Sequence, residues 1–253
     1  MFARALFATI AGVGLCLAAV SADAEAQVFE KSADAVAKAA QAVGQATGLT
    51  KLFSIMKQPL PKVRLPFLGS GIDKIAESLP PPKGHCPLPL AELGGFRAKL
   101  GEVFGKDVEV VQFSVPCDAL ADYWQGNSPR RWAIYTLGKT PLPAKARRTD
   151  LVVELTKDAA TVKLAALRDL AKKRPVAERS GLLESSPDAV YRASVGPDEA
   201  GNPIAHVGGA TLISERVLGV ELYAEYGGAK TFDELVATVK DVVARSIEVS
   251  ERR

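Results

Sequence analysis

Two β-rich runs joined by a tight link, PIAHVGGATLIS (203–214) and RVLGVELYAEY (216–226), stand directly before TFDELVATVKDVVARSIEVSERR (231–253). So short a link between two such runs predicts a hairpin. The segment after it spaces Leu235, Val239, Val242, Val243 and Ile247 by three and four residues, widened by Val236, which predicts a long amphipathic helix. Thr231 as N-cap with Glu234 three residues on reads as its capping box. An apolar helix stripe and an apolar hairpin face each need cover, and each covers the other. Whatever else the chain does, its C-terminal part must place this helix across this hairpin.

The hairpin also sorts its own side chains. Turning at Glu215-Arg216, it faces Val220, Leu222 and Ala224 to the core together with Thr211, Gly209 and Val207. The other face then carries His206, Glu221, Tyr223 and Glu225, with His206 directly opposite Glu225. A carboxylate beside an imidazole holds one tautomer and favours the charged form, so these four residues are the candidate ligand-binding or acid–base group. A one-residue slip of register would send His206 to the other face. The glycine pair Gly208-Gly209 inside the first strand predicts a bulge or a close approach by another group, such as a ring.

Upstream, LAELGGFRAKLGEVF (90–104) has helical spacing. DVEVVQFSV (107–115) alternates, with Val108, Val110, Gln112 and Ser114 on one side and Glu109, Val111, Phe113 and Val115 on the other. RRWAIYTLG (130–138) is a second strand with Trp132, Ile134 and Thr136 on one face. DLVVEL (150–155) is too short an apolar run to assign. TKDAATVKLAALRDLAKKR (156–174) reads as a helix stopped by Pro175, and AVYRASVG (189–196) as a strand followed by a turn cluster. Strands grouped into hairpins, with helices inserted and a long one at the end, predict an α+β protein with a mostly antiparallel sheet, packed helices and an N-terminal helical extension. The stretch RVLGVELYAEYGGAKTFDELVATVKDVVARSI resembles the Mog1p/PsbP-like exported sandwich, mainly in the C-terminal half. That resemblance implies a scaffold used for docking and assembly as well as other tasks.

The N-terminus predicts where the chain goes. MFAR, then ALFATIAGVGLCLAAV, then SADAEAQ is a positive start, an apolar core and a small-residue site, the form of a signal peptide cleaved near Ala24 or Ala26. The apolar run is shorter than the ~20 residues of a membrane span. Cleavage leaves Cys86 and Cys117, and an exported chain with two cysteines predicts a disulfide between them. The expected organisation is a signal peptide over 1–26, an amphipathic helical extension over 27–58, a Pro-rich linker over 59–86 and an α+β domain over 87–253. Phe29, Val36, Val43, Phe53 and Met56 give the extension an apolar stripe, a candidate surface for a partner or for a membrane.

Little chemistry is written in the chain. It has no GxSxG, HExxH, P-loop, CxxC or dinucleotide fingerprint. His85 and His206 are its only histidines, too few for a zinc site without help, so neither metal nor cofactor is expected. The net charge of +3 is small and its basic residues are scattered, which argues against a nucleic-acid partner. DYWQGNSPRRW groups Trp124, Arg130 and Arg131 around one loop, a composition common in recognition surfaces. The reading that results is a periplasmic or secreted, non-enzymatic envelope protein that docks an unidentified envelope protein. Two alternatives stay open: a small-ligand binder or enzyme using the His206 face, and a protein held on a membrane surface through residues 28–57.

Overall fold

A computed structural model describes residues 71–88, 94–105, 107–125 and 127–252. The signal-peptide run, the extension with Phe29, Val36, Val43, Phe53 and Met56, and the linker up to residue 70 lie outside the described residues. In chain order the elements are α1 (Gly71–Ser78), β1 (His85–Leu88), α2 (Gly94–Phe104), β2 (Val108–Pro116), a 3₁₀ turn (Cys117–Ala119) and α3 (Leu120–Trp124). Then come β3 (Arg131–Gly138), α4 (Arg148–Thr156), α5 (Leu164–Ala171), β4 (Arg179–Ser185), β5 (Ala189–Pro197), β6 (Pro203–Ile213), β7 (Arg216–Glu225) and α6 (Ala229–Glu251). The seven strands form one sheet in the order β1-β2-β3-β7-β6-β5-β4, with every neighbouring pair antiparallel. The protein is α+β.

Helices cover both faces. On one face α1, α5 and α6 bury Ile72, Leu167, Phe232, Leu235, Val239 and Val243, with Leu79 just after α1, in one core with Tyr135, Val207, Val220 and Leu222. On the other, Leu100 and Phe104 of α2 and Tyr123 of α3 cover Phe113, Trp132 and Ile134 at the β2–β3 end. Leu151 and Leu155 of α4 cover Val190, Ala210 and Leu212 at the β5–β6 end. Between these two apolar clusters the sheet carries polar side chains.

The C-terminal prediction holds in outline. The stripe of α6 buries Leu235, Val239, Val242 and Val243. The helix starts earlier than expected, at Ala229 with Gly228 as N-cap. Thr231 therefore sits one turn in, where its Oγ1 accepts a hydrogen bond from the Gly227 N–H at 3.1 Å. It ties the entering chain back to the helix instead of capping the helix from outside.

Several local expectations are corrected. The alternation of β2 breaks at a bulge between Val110 and Gln112. Val110 and Phe113 consequently share the α2 side, and Val111 joins the α6 side. DLVVEL is helical, because Leu151 and Leu155 one turn apart find an apolar bed on β5 and β6. The helix read over 156–174 shrinks to Leu164–Ala171. Residues before it are used for pairing: Val162 N–H donates to the Leu182 carbonyl and Leu182 N–H to the Ala160 carbonyl, both at 2.8 Å. That pairing covers part of the outer edge of β4, a strand the periodicity did not reveal since its exposure pattern does not alternate. Within the Pro-rich stretch, GIDKIAES forms α1, whose Ile72 is buried in the core, and His85–Leu88 form β1, which pairs with β2.

Cys86 and Cys117 form a disulfide across 31 residues of chain. It ties edge strand β1 to the turn that follows β2. Among the described residues no helix is long and apolar enough to cross a membrane.

Candidate functional site

The hairpin turns one step earlier than the sequence suggested. Ile213 pairs with Arg216, leaving Ser214 and Glu215 as a two-residue loop with φ of 43° and 62°. Both residues are left-handed, the geometry that matches the twist of a hairpin and that glycine or asparagine adopts most easily. The tip is held in place from outside. Glu215 O accepts from Leu142 N–H at 2.7 Å, and Ser214 N–H donates to Ser250 Oγ at 3.1 Å.

Moving the turn by one residue displaces the pairing by two, so every side chain keeps its expected face and changes its partner. His206 lies opposite Tyr223, not Glu225. Glu225 pairs with Ile204 at the exposed strand end, and its carboxylate faces Arg130 at 3.6 Å. The expected His206–Glu225 pair is therefore replaced. The carboxyl that meets the imidazole belongs to Glu221, with Oε2 2.5 Å from His206 Nε2.

One row of cross-strand neighbours runs Trp132, Tyr223, His206, Ser194 over β3, β7, β6 and β5. The Trp132 and Tyr223 rings stack at 5.2 Å, and Tyr223 and His206 stack at 4.5 Å. Ser194 Oγ is 2.9 Å from His206 Nδ1. With Glu221 accepting from Nε2–H, a neutral imidazole offers its Nδ1 lone pair, and the Ser194 hydroxyl donates to it. The next row runs Ile134, Glu221, Gly208, Arg192. A Cβ on Gly208 would collide with the Glu221 carboxyl, so the missing side chain lets that carboxyl lie across β6 toward the imidazole. Gly209 serves the opposite face, where a Cβ would sit 2.7 Å from Val239 Cγ1 and 2.9 Å from Val243 Cγ2, with the Tyr191 ring at 3.4 Å. The glycine pair marks two close approaches, one on each side of a strand without a bulge in either of its pairings.

Serine, imidazole and carboxyl in this order are the parts of a nucleophile, a base and a group that orients the base. Here they are closed in: Ser194, His206 and Glu221 are 1%, 3% and 2% exposed. Tyr223, 1% exposed, is held protonated by burial and, second, by the charge of Glu221. Glu221 Oε1 and Thr136 Oγ1 on the same face are buried without hydrogen-bond partners. Arg192 donates from Nη2 to the Leu155 carbonyl at the end of α4, at 3.1 Å. Sequence reasoning missed Ser194, since finding it needs the β5–β6 register, and it misassigned the carboxyl for want of the turn.

The aromatic loop divides. Trp132 is fully buried. Tyr123 packs on Phe113 at 5.8 Å, while its neighbour Trp124 is 47% exposed. Arg130 is exposed beside Glu225. Arg131 points to the opposite face, where its Nη1 meets Glu234 of α6 at 3.5 Å. Among the described residues, no three His, Cys, Asp or Glu side chains are grouped to hold a metal ion.

No known protein family matches the chain, and no curated protein does. Among solved structures it is similar to the extracellular domain of PknH from Mycobacterium tuberculosis. That similarity has 11% identity and a TM-score of 0.35, and covers 78% of this chain and all of that one. It is also similar to protein Ms6760 from Mycobacterium smegmatis, at 10% identity and a TM-score of 0.18, over 47% of this chain and 87% of that one. The resemblance to the Mog1p/PsbP-like sandwich is not confirmed by these comparisons.

Proposed function

We propose that this is an exported, non-catalytic docking domain that binds a protein partner of the cell envelope. Export is supported by the Cys86–Cys117 disulfide, a bond that persists in oxidising compartments, together with the signal-peptide form of residues 1–26. The observation that carries the docking role is Trp124. It and Val153 are the large apolar side chains left exposed among the described residues, and Trp124 stands at the start of the loop that ends in exposed Arg130. Trp and Arg are the side chains that most often anchor protein interfaces. The complementary surface is an apolar pocket with a carboxylate at its rim. The Ser194–His206–Glu221 network supports the same reading from the other side, since it is sealed and joins three strands.

The test is capture from envelope extract by wild type and by the double variant Trp124→Ala/Arg130→Glu, at equal melting temperature. Loss of specific partners in the variant supports the reading; the same partners at the same yield overturn it. A second reading, small-ligand binding in the polar strip with His206, Glu221 and Tyr223, is favoured by one observation, the unpartnered Glu221 Oε1 and Thr136 Oγ1. It requires a ligand-induced rise in melting temperature that Thr136→Val removes.

A further inference from the structure

The Cys86–Cys117 bond stands at a surface corner of the sheet. Cys117 is exposed, as are Lys83, Gly84, Pro87 and Asp118 around the two ends, and Cys86 is half-buried. Of the four residues of β1 only Leu88 is buried. What the bond holds down is therefore an edge strand that puts one apolar side chain into the core. A crosslink sealed inside a core resists reduction because no reductant reaches it. An exposed one is open to exchange and belongs to the labile, regulatory kind.

Both ends of β1 are fixed independently of the disulfide. Upstream, Ile72 and Leu79 are buried in the core, and the prolines after α1 are tied to the sheet and to α6. Tyr135 donates from its hydroxyl to the Pro80 carbonyl at 3.1 Å, and Arg245 from Nη2 to the Pro81 carbonyl at 3.0 Å. Lys83 Nζ meets Asp241 Oδ1 at 3.2 Å. Downstream, Leu100 and Phe104 hold α2 in its own cluster. Gly84, exposed and left-handed at φ of 75°, gives the strand a pivot. Opening the disulfide thus releases a short stretch between two anchors: β1 leaves β2, and Cys86 stays within reach of Cys117. The chain's one other cysteine, Cys16, stands in the run with the form of a signal peptide. In the cleaved chain the two thiols have only each other to pair with, so closing restores the same bond.

We propose that Cys86–Cys117 is a redox-operated latch on the edge of the sheet, opened by a dithiol of the thioredoxin-fold class and closed by oxidation. The reductant's thiolate attacks Cys117 Sγ. The S–S bond breaks and its electron pair leaves on Cys86 Sγ, which takes up a proton. The second thiol of the reductant then displaces Cys117 Sγ from the mixed disulfide. The reductant ends as a disulfide and this chain as two thiols, with protons and electrons in balance. Reduction uncovers the outer edge of β2 over residues 113–116, the stretch that β1 pairs with. An uncovered edge presents backbone donors and acceptors to an extended segment of another chain. The oxidised latch keeps that edge closed.

The test uses the oxidised wild-type chain in native buffer. With dithiothreitol, thiol titration should show Cys86 and Cys117 freed at a rate proportional to reductant concentration and unchanged by urea well below the unfolding transition. Thioredoxin at equal concentration should act faster, since more of its attacking thiol is ionised at neutral pH. The reduced chain should keep its far-UV circular dichroism and a cooperative melt at a lower temperature. Amide protection should be lost at β1 and at residues 113–115, and kept at β5, β6 and β7. Oxidised glutathione should return the original melting temperature. No thiols in native buffer, or a rate that levels off with reductant and climbs with urea, means that only the unfolded chain is reduced and overturns the proposal. So does thioredoxin no faster than dithiothreitol, a reduced chain without a cooperative melt, or one whose residues 113–115 stay protected.

Discussion

His85 shows how one residue's surroundings set a measurable property. Burial lowers its proton affinity first and the Arg131 charge second, against smaller opposing effects of the Ser114 backbone and Asp118, leaving a pKa of about 4. The unfolded imidazole titrates near ~6.5. As pH falls below that value the unfolded chain takes up the proton first, so stability is full above about 6.5 and drains away down to about 4. His85 is partly exposed, and solvent screening reduces the effect to on the order of 1 kcal/mol. Denaturant titrations of wild type and His85→Gln at pH 7 and pH 4.5 should therefore differ: the variant loses less stability than wild type over this interval. Parallel losses would contradict the assignment. In the sequence His85 stands directly beside Cys86, an adjacency that on its own would allow a reactive pair. It is the disulfide that takes the thiol out of play, and the neighbouring strands that close around the ring.

At the scale of elements, the packing of α6 on β6 depends on Gly209. The helix approaches so closely that one added methyl would overlap two valines. Overpacking of this kind costs about 1–3 kcal/mol, and that is the expected loss for Gly209→Ala. Because the obstacle is Val239 Cγ1 and Val243 Cγ2, the double variant Gly209→Ala/Val239→Ala should be less unstable than the sum of the two single ones. A thermodynamic cycle by urea unfolding measures the coupling, and strict additivity would show that the helix simply shifts. The hairpin, the long helix and the strands at 108–116 and 131–138 were legible because their apolar periods are long. α4, β4 and the shortened α5 were not. Their residues answer to neighbours distant in the chain: Leu151 and Leu155 to the β5–β6 surface, Val162 and Leu182 to one another.

For the whole molecule, the sheet runs from a stapled edge to a covered one. The Cys86–Cys117 bond closes a 31-residue separation and holds β1, four residues long, on the outside of β2. By the chain-entropy relation a loop of this size contributes about 3–4 kcal/mol. Reduction, or Cys86→Ser/Cys117→Ser, should lower the urea midpoint accordingly. It should also raise hydrogen exchange first at β1 and the end of β2, leaving β5, β6 and β7 protected. Exchange rising equally over the whole sheet would mean that the staple governs global unfolding instead of the edge.

The sequence by itself determined the α+β class, the pairing of β6 with β7, the helix laid over them and the face of each hairpin residue. Each of these follows from local period and short-range connection, which a chain carries within a few tens of residues. Tertiary structure alone decided which carboxyl His206 meets, that Ser194 completes the row, and that the group is sealed. Those outcomes depend on where strands far apart in the chain come into register. The displaced turn at Ser214-Glu215 shows the difference: it preserved every face and changed every partner.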